Sequence, residues 1–509
     1  MRTLAVPLAS LLFCAAAGCG GGDDALPLCE VPAQHPLPTE GALISPDQIA
    51  LPAACVPNGL AELPGRWYVA DLHKLFTFSY PRYEGSCATG FRDPTWPMER
   101  DDPSHFVTRH VWTDGTRLFT RSWSGFQSSE YVSATVTCLA ADGTLAWGWA
   151  VHDSERGDDS GTGTGVRFAP MDEPAKGLEL VGSLGERAPG EPIDGYNVVV
   201  DGGTAFVVGD GGLDAIDVTD PTAPRFLANV KGPEDDGFND VRVVRGAGHV
   251  IAFAAPLSVD QVSVFDVTDP AAPVALPVIP EYAHSLQVVA DGDRTLLYLA
   301  NYDASVPIYD ITDPTHPRWL AAPGVPGPLA GVHDLTVDGT MIYANNTTAG
   351  LVAVDVSAGL DQPSVLRGRI QTTYSHASWA ATLGGRKIVL HGDEGMTPEG
   401  GAFMRILDGD PASPTFMQEL ARWRTRPEVG IHNIEVHGTK AYVAYYQDGV
   451  RIVELADPLH PREVAHYNTW DPGTARGGPF EGALGVRLVG GLLYVADLGR
   501  GLVILRETP

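Results

Sequence analysis

One ten-residue phrase, repeated along the C-terminal two thirds of the chain, constrains the fold more than any other feature. Its plainest copy is VFDVTDPAAP at residues 264–273. Successive copies are 44 to 53 residues apart, measured between the aligned positions Asp217, Asp266, Asp310, Asp355, Asp408, Glu454 and Arg506. A period of this size is typical of folds built from repeated supersecondary units.

Each repeat has the pattern of four short strands. Two alternating apolar runs separated by a Gly/Asp turn precede the phrase, as in LTVDG (335–339) and MIYANN (341–346). The phrase opens with a third apolar run, and Asp-Pro then favours a tight turn because Pro presets φ and Asp accepts local backbone hydrogen bonds. A fourth run follows, as in PRFLANV (224–230). Four hairpin-connected strands in about 45 residues are the size of one β-propeller blade.

The repeats therefore predict an all-β fold in which residues 176–509 form a seven-bladed β-propeller of four-stranded blades, with six or eight blades as alternatives. The last repeat has three strands, and KGLELVGSL (176–184) has the pattern of the missing fourth. Pairing the two ends of the repeat region in one blade would remove an open sheet edge.

Three segments allow the repeat to be compared with a known family. GLDAIDVTDPTAP, GLVAVDVSAG and GVRIVELADP resemble LVIVD repeats, which occur in bacterial surface and secreted β-propellers. The resemblance covers about residues 177–509 and implies the propeller fold. It implies no particular reaction, because a fold does not determine a function.

Residues 1–19 have the features of a lipoprotein signal peptide. Arg2 precedes an apolar run at 4–17, and Ala16-Ala17-Gly18-Cys19 resembles a lipobox. This predicts a lipid anchor on Cys19 and an exported protein in the outer membrane or at the cell surface. The alternative is an ordinary signal peptide that leaves Cys19 as a plain thiol.

The segment that follows divides into a tether and a small domain. Residues 20–65 contain eight prolines and are interpreted as a Pro-rich tether. Residues 66–175 are predicted to form a small antiparallel β domain, with hairpins at Asp114-Gly115 and Asp142-Gly143. The Gly/Asp-rich run 154–165 is interpreted as a loop. The tryptophans of this domain would fill its core or, alternatively, bind a glycan: Trp67, Trp96, Trp112, Trp123, Trp147 and Trp149.

Four cysteines remain in an oxidising compartment once Cys14 leaves with the signal peptide and Cys19 takes lipid. Three pairings connect them. Pairing within segments favours the disulfides Cys29–Cys55 and Cys87–Cys138.

The net charge of −29 and the sequence pI of about 4.7 argue against nucleic acid as a partner, since its recognition requires a basic face.

A set of histidines occupies the same register position in successive repeats. The residue two before the first apolar position of the innermost strand is His284, His333, His376 or His432, and the matching residues elsewhere are Tyr196, Asn239 and Leu484. Innermost strands line the channel of a propeller. The four imidazoles should therefore meet near one channel mouth, with Asp240, Asp334 and Asn433 beside them. They would hold a transition metal or other ligand, or else be structural hydrogen-bonding groups.

The longest insertions, at 392–401, 424–430 and 469–482, are predicted to lie on that same face. Arg422, Arg424 and Arg426 would form an anion-binding cluster there, or pair with Glu419 and Glu428. These features favour a non-catalytic binding or scaffold module of the cell envelope, with an envelope or extracellular protein or glycan as its partner. The alternative is an enzyme, an oxidase or lyase dependent on Cu, Zn or Fe held by the channel histidines.

Overall fold

The computed structural model describes residues 44, 48–62, 67–70, 74–77, 95–96, 106–113, 116–126, 129–153, 157–169, 171 and 173–508, except 304, 328–330, 373, 396–401 and 473–479. The chain divides into two compact units, residues 1–169 with 476–479, and residues 170–475 with 480–509. The first unit ends at 169, a few residues before the predicted domain boundary at 175. Across the described residues, no helix is long and apolar enough to cross a membrane.

The N-terminal unit contains one antiparallel sheet of eight strands in the order β2-β1-β8-β7-β6-β5-β4-β3, and a short 3-10 helix at Gly59–Glu62. The strands are β1 (Trp67–Ala70), β2 (Lys74–Thr77), β3 (Thr95–Trp96), β4 (Phe106–Thr113), β5 (Leu118–Phe126), β6 (Ser129–Leu139), β7 (Leu145–Asp153) and β8 (Gly157–Phe168).

Both predicted hairpins are present in this sheet, since β4 pairs with β5 and β6 with β7. The predicted loop at 154–165 is wrong, because most of that run lies in β8 and pairs along β7. One of its glycines, Gly161, makes room for an aromatic ring. A Cβ on Gly161 would lie 2.7 Å from Nε1 of Trp149.

The segment interpreted as a tether packs on this sheet over part of its length. Ile49 and Leu60 are buried, and Ile49 joins Phe119, Ala134 and Val136 in one apolar cluster. The contact is close, because a Cβ on Gly148 would lie 1.9 Å from the carbonyl oxygen of Ala50. The apolar residues between the prolines cover a sheet face, so the proline count alone was misleading.

This packing also corrects the disulfide prediction. Cys55 is bonded to Cys138, with 5.6 Å between their Cα atoms. The predicted pairs Cys29–Cys55 and Cys87–Cys138 are therefore wrong, and Cys29 and Cys87 lie outside the described residues. The cause is a local bridge: Cys55 pairs with Ala140, and the Val56 N–H donates to the Leu139 carbonyl at 2.8 Å.

Of the six tryptophan side chains, the structure describes those of Trp147 and Trp149. Trp147 is buried in the sheet and Trp149 is half-buried. A core role is therefore established for Trp147, and glycan binding stays a prediction.

The second unit is all-β and propeller-like, and it begins with four short strands. These are β9 (Ala175–Lys176), β10 (Leu178–Leu184), β11 (Glu186–Ala188) and β12 (Glu191–Pro192). A short 3-10 helix at Pro233–Asp235 lies between later strands.

Seven antiparallel sheets follow, numbered here in chain order and each built on four strands. Sheet 1 contains β13 (Asn197–Asp201), β14 (Thr204–Gly209), β15 (Gly212–Asp217) and β16 (Arg225–Val230); sheet 2, β17 (Phe238–Gly246), β18 (His249–Pro256), β19 (Val262–Asp266) and β20 (Val274–Ile279); sheet 3, β21 (Ser285–Asp291), β22 (Arg294–Ala300), β23 (Ile308–Asp310) and β24 (Arg318–Ala321); sheet 4, β25 (Asp334–Asp338), β26 (Met341–Asn345), β27 (Leu351–Asp355) and β28 (Val365–Ile370); sheet 5, β29 (Ser375–Leu383), β30 (Arg386–Asp393), β31 (Met404–Asp408) and β32 (Glu419–Trp423); sheet 6, β33 (Ile434–His437), β34 (Lys440–Ala444), β35 (Val450–Glu454) and β36 (Arg462–Tyr467), extended by β9; sheet 7, β37 (Ala483–Val489), β38 (Leu492–Asp497) and β39 (Gly501–Glu507), completed by β10.

The repeated phrase forms the turn between the third and fourth strands. The carboxylate that ends the third strand accepts a hydrogen bond from the backbone N–H two residues later, which is the local bonding expected of Asp in a turn. The donor–acceptor distances are 3.0 Å from Thr219 to Asp217, 2.9 Å from Thr268 to Asp266, 3.0 Å from Thr312 to Asp310, 2.8 Å from Ser357 to Asp355, and 2.9 Å from Ala456 to Glu454.

Neighbouring sheets meet through their first strands. Each first strand from β13 to β33 contacts the first strand of the next sheet, and β37 contacts β13. Apolar side chains of adjacent sheets share continuous clusters, such as the one containing Ile251, Phe253, Leu286 and Leu297. The core of this unit therefore lies between sheets.

The strand pairing predicted between the two ends of the repeat region is present. β10 runs antiparallel to β39, with Leu178 opposite Glu507 and Leu184 opposite Leu502. Leu178 is 5% exposed and packs with Ile452 and Leu505, whereas Leu180 on the same strand is 44% exposed.

Leu178→Ala should lower the free energy of unfolding by about 2 to 4 kcal/mol, because it empties a buried site between sheets 6 and 7. Leu180→Ala is the matched control and should cost less than about 1 kcal/mol, since its side chain is exposed. Urea unfolding of both variants measures the difference. Equal losses would contradict the inward packing of β10.

Candidate functional site

The predicted histidine positions lie where the innermost strands begin. The backbone at these positions adopts one of two arrangements. In sheets 1, 3, 4 and 6 the backbone N–H donates to a carbonyl of the second strand, over 2.7–3.0 Å; the donors are Tyr196, His284, His333 and His432. In sheets 2, 5 and 7 the residue lies in a β-bulge, which turns its side chain away from the regular alternation. These bulge residues are Asn239, His376 and Leu484.

The structure brings the four predicted histidine rings together. Ring centroids are 3.7 Å apart for His284 and His333, 4.7 Å for His333 and His376, and 4.2 Å for His376 and His432. His333 and His376 are buried, while His284 and His432 are half-buried. Four consecutive sheets therefore contribute to one imidazole cluster.

Hydrogen bonds determine which nitrogen of three of these rings carries the proton. Nδ1 of His284 lies 3.0 Å from the carbonyl oxygen of His333. Nδ1 of His376 lies 2.8 Å from that of His432, and Nδ1 of His432 lies 2.8 Å from that of Leu484. A carbonyl oxygen only accepts, so Nδ1 donates, and the neutral ring keeps its lone pair on Nε2.

His333 is the exception in this series. Its Nδ1 is buried and has no hydrogen-bond partner, and the same is true of Nε2 of His376. Buried polar atoms are normally satisfied, so two such nitrogens in neighbouring rings require an explanation.

Burial also keeps the imidazoles neutral. Desolvation lowers the pKa of His376 and His432 to about 3 and the pKa of His284 to about 4. It lowers the pKa of His333 well below its ordinary value, and the neighbouring rings add to this effect. At neutral pH the cluster therefore presents nitrogen lone pairs and no positive charge.

Sequence reasoning missed two residues of this site, Glu394 and Tyr446. The Tyr446 hydroxyl donates to Oε1 of Glu394, and Oε2 of Glu394 lies 3.9 Å from Nε2 of His376. Burial raises the pKa of the Glu394 carboxyl. Tyr446 has a φ of +40°, an uncommon backbone conformation for a bulky residue, and hydrogen bonds with Ala483 in both directions hold it.

Both residues could have been found by aligning the repeats at the end of the second strand, as was done for the start of the first strand. Glu394 directly follows the second strand of its sheet, and Tyr446 comes two residues after the end of β34. Such positions lie across the first hairpin from the start of the innermost strand, because antiparallel pairing sets the end of one strand opposite the start of the other.

Aromatic side chains surround the cluster. Tyr302 lies 5.7 Å from His284 and 5.9 Å from His333, and Tyr374 lies 5.7 Å from His333, measured between centroids. Tyr446 lies 5.3 Å from His432 and 5.4 Å from Phe480. Tyr302 and Phe480 are 44% and 47% exposed, so they form an aromatic rim that solvent reaches.

The predicted supporting residues bond mainly to backbone and to neighbouring sheets. Asp240 of sheet 2 accepts from Nδ2 of Asn197 in sheet 1 at 2.5 Å and from the Leu286 N–H in sheet 3 at 2.8 Å. Asp334 accepts from the Ser285 hydroxyl at 2.6 Å, and burial raises its pKa to about 6. These two carboxylates therefore tie sheets together beside the histidine cluster.

The other three supporting residues have separate roles. Nδ2 of Asn239 donates to the Pro256 carbonyl at 2.8 Å, and the Tyr196 hydroxyl donates to Asp210 at 2.7 Å. Asn433 accepts the Ala444 N–H through its backbone carbonyl at 2.9 Å.

The predicted cationic cluster is largely neutralised. Arg422 pairs with Glu419, and Arg426 pairs with Asp448 rather than with Glu428. Arg422 and Arg424 also lie over the Phe403 ring, 4.9 Å and 4.4 Å from its centroid. Arg424 is therefore the member of the trio that forms no ion pair with a described carboxylate. The insertions at 392–401 and 469–482 lie partly outside the described residues.

His391, a further buried histidine, stands behind the cluster in sheet 5. Its Nε2 lies 2.9 Å from the Ser375 hydroxyl, which itself donates to Oδ1 of Asn345 at 3.0 Å. Desolvation, aided by Arg405, lowers the pKa of His391 to about 3.

His391→Gln should make the protein less sensitive to acid. The folded state keeps this ring neutral down to about pH 3, whereas the unfolded chain protonates it below its ordinary pKa of about 6.5. Wild-type stability should therefore fall between pH 6 and pH 4.5 by about 2 kcal/mol more than that of the variant. Chemical unfolding across that range measures it, with His316→Gln, an exposed site, as control. Parallel profiles for wild type and His391→Gln would contradict the assignment.

The comparisons with known proteins agree with the repeat analysis. The LVIVD repeat model matches residues 194–231, 431–469 and 482–505, which correspond to sheets 1, 6 and 7. No curated protein matches the chain. Among solved structures, Raptor of Chaetomium thermophilum is similar at 11% identity and a TM-score of 0.46, over 65% of this chain and 29% of that one. The predicted resemblance is confirmed: this chain carries LVIVD repeats.

Proposed function

We propose that this protein is a cell-envelope lipoprotein whose seven sheets are the blades of a closed β-propeller, and that this propeller binds a ligand without catalysing a reaction. The ligand site is the channel mouth that carries His284, His333, His376 and His432. The contact of β37 with β13 and the pairing of β10 with β39 support the closed ring.

The observation that carries the binding function is the convergence of these four histidines from four consecutive sheets. Within this cluster His333 and His376 each keep one buried ring nitrogen without a hydrogen-bond partner, which a bound ligand would satisfy. The exposed rim of Tyr302 and Phe480 adds apolar surface around this polar floor. Few polar groups inside an apolar rim are the usual composition of a ligand site.

The proposed ligand is an envelope or extracellular protein or glycan, and the proposed membrane contact is the lipid on Cys19.

The tagged protein should enter the detergent phase of a Triton X-114 extract of its host. Cys19→Ser should move it to the aqueous phase, because the thiol that takes the lipid is gone. Cys14→Ser, inside the signal peptide, is the control and should stay in the detergent phase. Wild-type protein in the aqueous phase would overturn the anchor.

Tyr302→Ala combined with Phe480→Ala should strongly reduce ligand retention, because both side chains belong to the exposed rim. Native mass spectrometry of protein isolated from the envelope, before and after unfolding, detects the retained species. Val274→Ala combined with Trp319→Ala is the control, since these side chains are 59% and 58% exposed on outer strands.

The rim variant should lose at least ten-fold of the retained species, and the control should match the wild type. Equal retention by all three proteins, or no retained species in the wild type, would overturn the proposed mouth.

A further inference from the structure

We propose that His333, His376 and Glu394 bind a divalent transition-metal ion, with Tyr446 positioning the carboxylate. This inference rests on the ligand site proposed above and names the chemical class of one ligand for it. It adds Glu394 and Tyr446, which the repeat pattern does not indicate.

The donor atoms are already close together. One ring nitrogen each from His333 and His376 and one carboxylate oxygen of Glu394 all lie within 4.8 Å of one another. Nε2 of His376 is 3.9 Å from Oε2 of Glu394. The three residues are 6%, 2% and 9% exposed, so their donor atoms lie in a shielded site.

The hydrogen bonds of His376 and Glu394 leave one donor atom of each side chain available to a metal ion. Nδ1 of His376 donates to the His432 carbonyl, which leaves the Nε2 lone pair on the side of Glu394. Metal-binding histidines normally donate their second N–H to a carbonyl or carboxylate in this way. Tyr446 occupies Oε1 of Glu394 and leaves Oε2 for the ion.

His333 supplies the strongest indication. His284, His376 and His432 each donate to the carbonyl of the equivalent position in the next sheet. His333 makes no such bond, and its buried Nδ1 has no partner. The series is thus interrupted at His333, and the neighbouring ring of His376 also has a nitrogen without a partner, its Nε2.

Other histidine–carboxylate pairs of the described chain provide a contrast. His249 with Asp266 and His460 with Asp457 are direct two-residue pairs at 2.6 Å and 2.8 Å, and both histidines are exposed. They satisfy each other and need no ion. His376 and Glu394 remain 3.9 Å apart, beyond hydrogen-bond distance.

The donor set selects the class of ion. Two imidazole nitrogens and one carboxylate oxygen suit Zn²⁺, Cu²⁺, Ni²⁺ or Fe²⁺, whereas Ca²⁺ and Mg²⁺ prefer oxygen and Cu⁺ prefers sulfur. Bonds of about 2.1 Å in a tetrahedral site hold donors about 3.4 Å apart. The three donor atoms would therefore move about an ångström closer together around the ion. The ring of His432 packs beside that of His376.

The experiment uses the full chain in detergent, stripped with a chelator and titrated with Zn²⁺ or Cu²⁺. Elemental analysis after dialysis should give one ion per chain. Electron paramagnetic resonance of the Cu²⁺ form should show coupling to two imidazole nitrogens, a readout that needs no variant.

His333→Ala and His376→Ala should each weaken binding by roughly 100-fold or more, and Glu394→Gln by roughly 10-fold or more. Glu394→Gln preserves shape, so it reports on the site even where a histidine variant fails to fold. His391→Gln is the matched control, because His391 is equally buried in sheet 5 but lies outside the donor set, and it should bind like the wild type.

Fewer than one-tenth of an ion per chain, no nitrogen coupling, or equal affinity in wild type and Glu394→Gln would overturn the metal site. An organic ligand that depends on the aromatic rim, in a protein without bound metal, would refute this inference and leave the proposed binding function intact. Stoichiometric metal without any rim-dependent ligand would support this inference and overturn the envelope protein or glycan as the ligand of the channel mouth.

Discussion

The packing of one sheet against the next is the interaction on which the rest of the second unit depends. A four-stranded antiparallel sheet has two faces, and neither is buried by the sheet itself. Here the apolar side chains of neighbouring sheets form shared clusters, and first strand lies against first strand from sheet 1 to sheet 7. Because the innermost strands approach each other, their first residues are forced together. The histidine cluster is a direct consequence of this arrangement.

Polar bonds between sheets then give the site its detailed geometry. Asp240 connects sheets 1, 2 and 3, and Glu435 of sheet 6 accepts from Arg487 and from the Leu488 N–H of sheet 7 at 2.7 Å and 2.8 Å. His284, His376 and His432 also connect sheets, because each donates a hydrogen bond to a backbone carbonyl of the next sheet. Since a buried donor without an acceptor is costly, each bond restricts the ring that makes it. The interruption at His333 is therefore informative, because His284, His376 and His432 each make the equivalent bond.

Much of the architecture could be predicted from local pattern, and some of the site could not. The register of the phrase located strand ends and the four histidine positions, because both repeat with the chain. Glu394 and Tyr446 follow second strands and lie outside both the phrase and the histidine register, so neither pattern indicated them, although Tyr302 comes two residues after β22 just as Tyr446 comes two residues after β34. The same limit applies to Cys55, whose partner Cys138 is 83 residues away and depends on a proline-rich segment packing on a sheet. It also applies to the run at 157–165, which lies in a strand where Gly161 allows close packing against Trp149.

The sequence by itself determined that this protein is built from repeated four-stranded units, since alternating apolar residues and Asp-Pro turns act within a few residues of each other. It also determined which side chains begin the innermost strands. Only the tertiary structure decided how those side chains meet. The bulge at His376 lies within the pairing of β29 with β30, but the close approach of the histidine rings and the bonds of Tyr446 to Ala483 and Glu394 are contacts between sheets, made by residues far apart in sequence. Local patterns carry no information about such contacts, because they depend on how whole sheets pack.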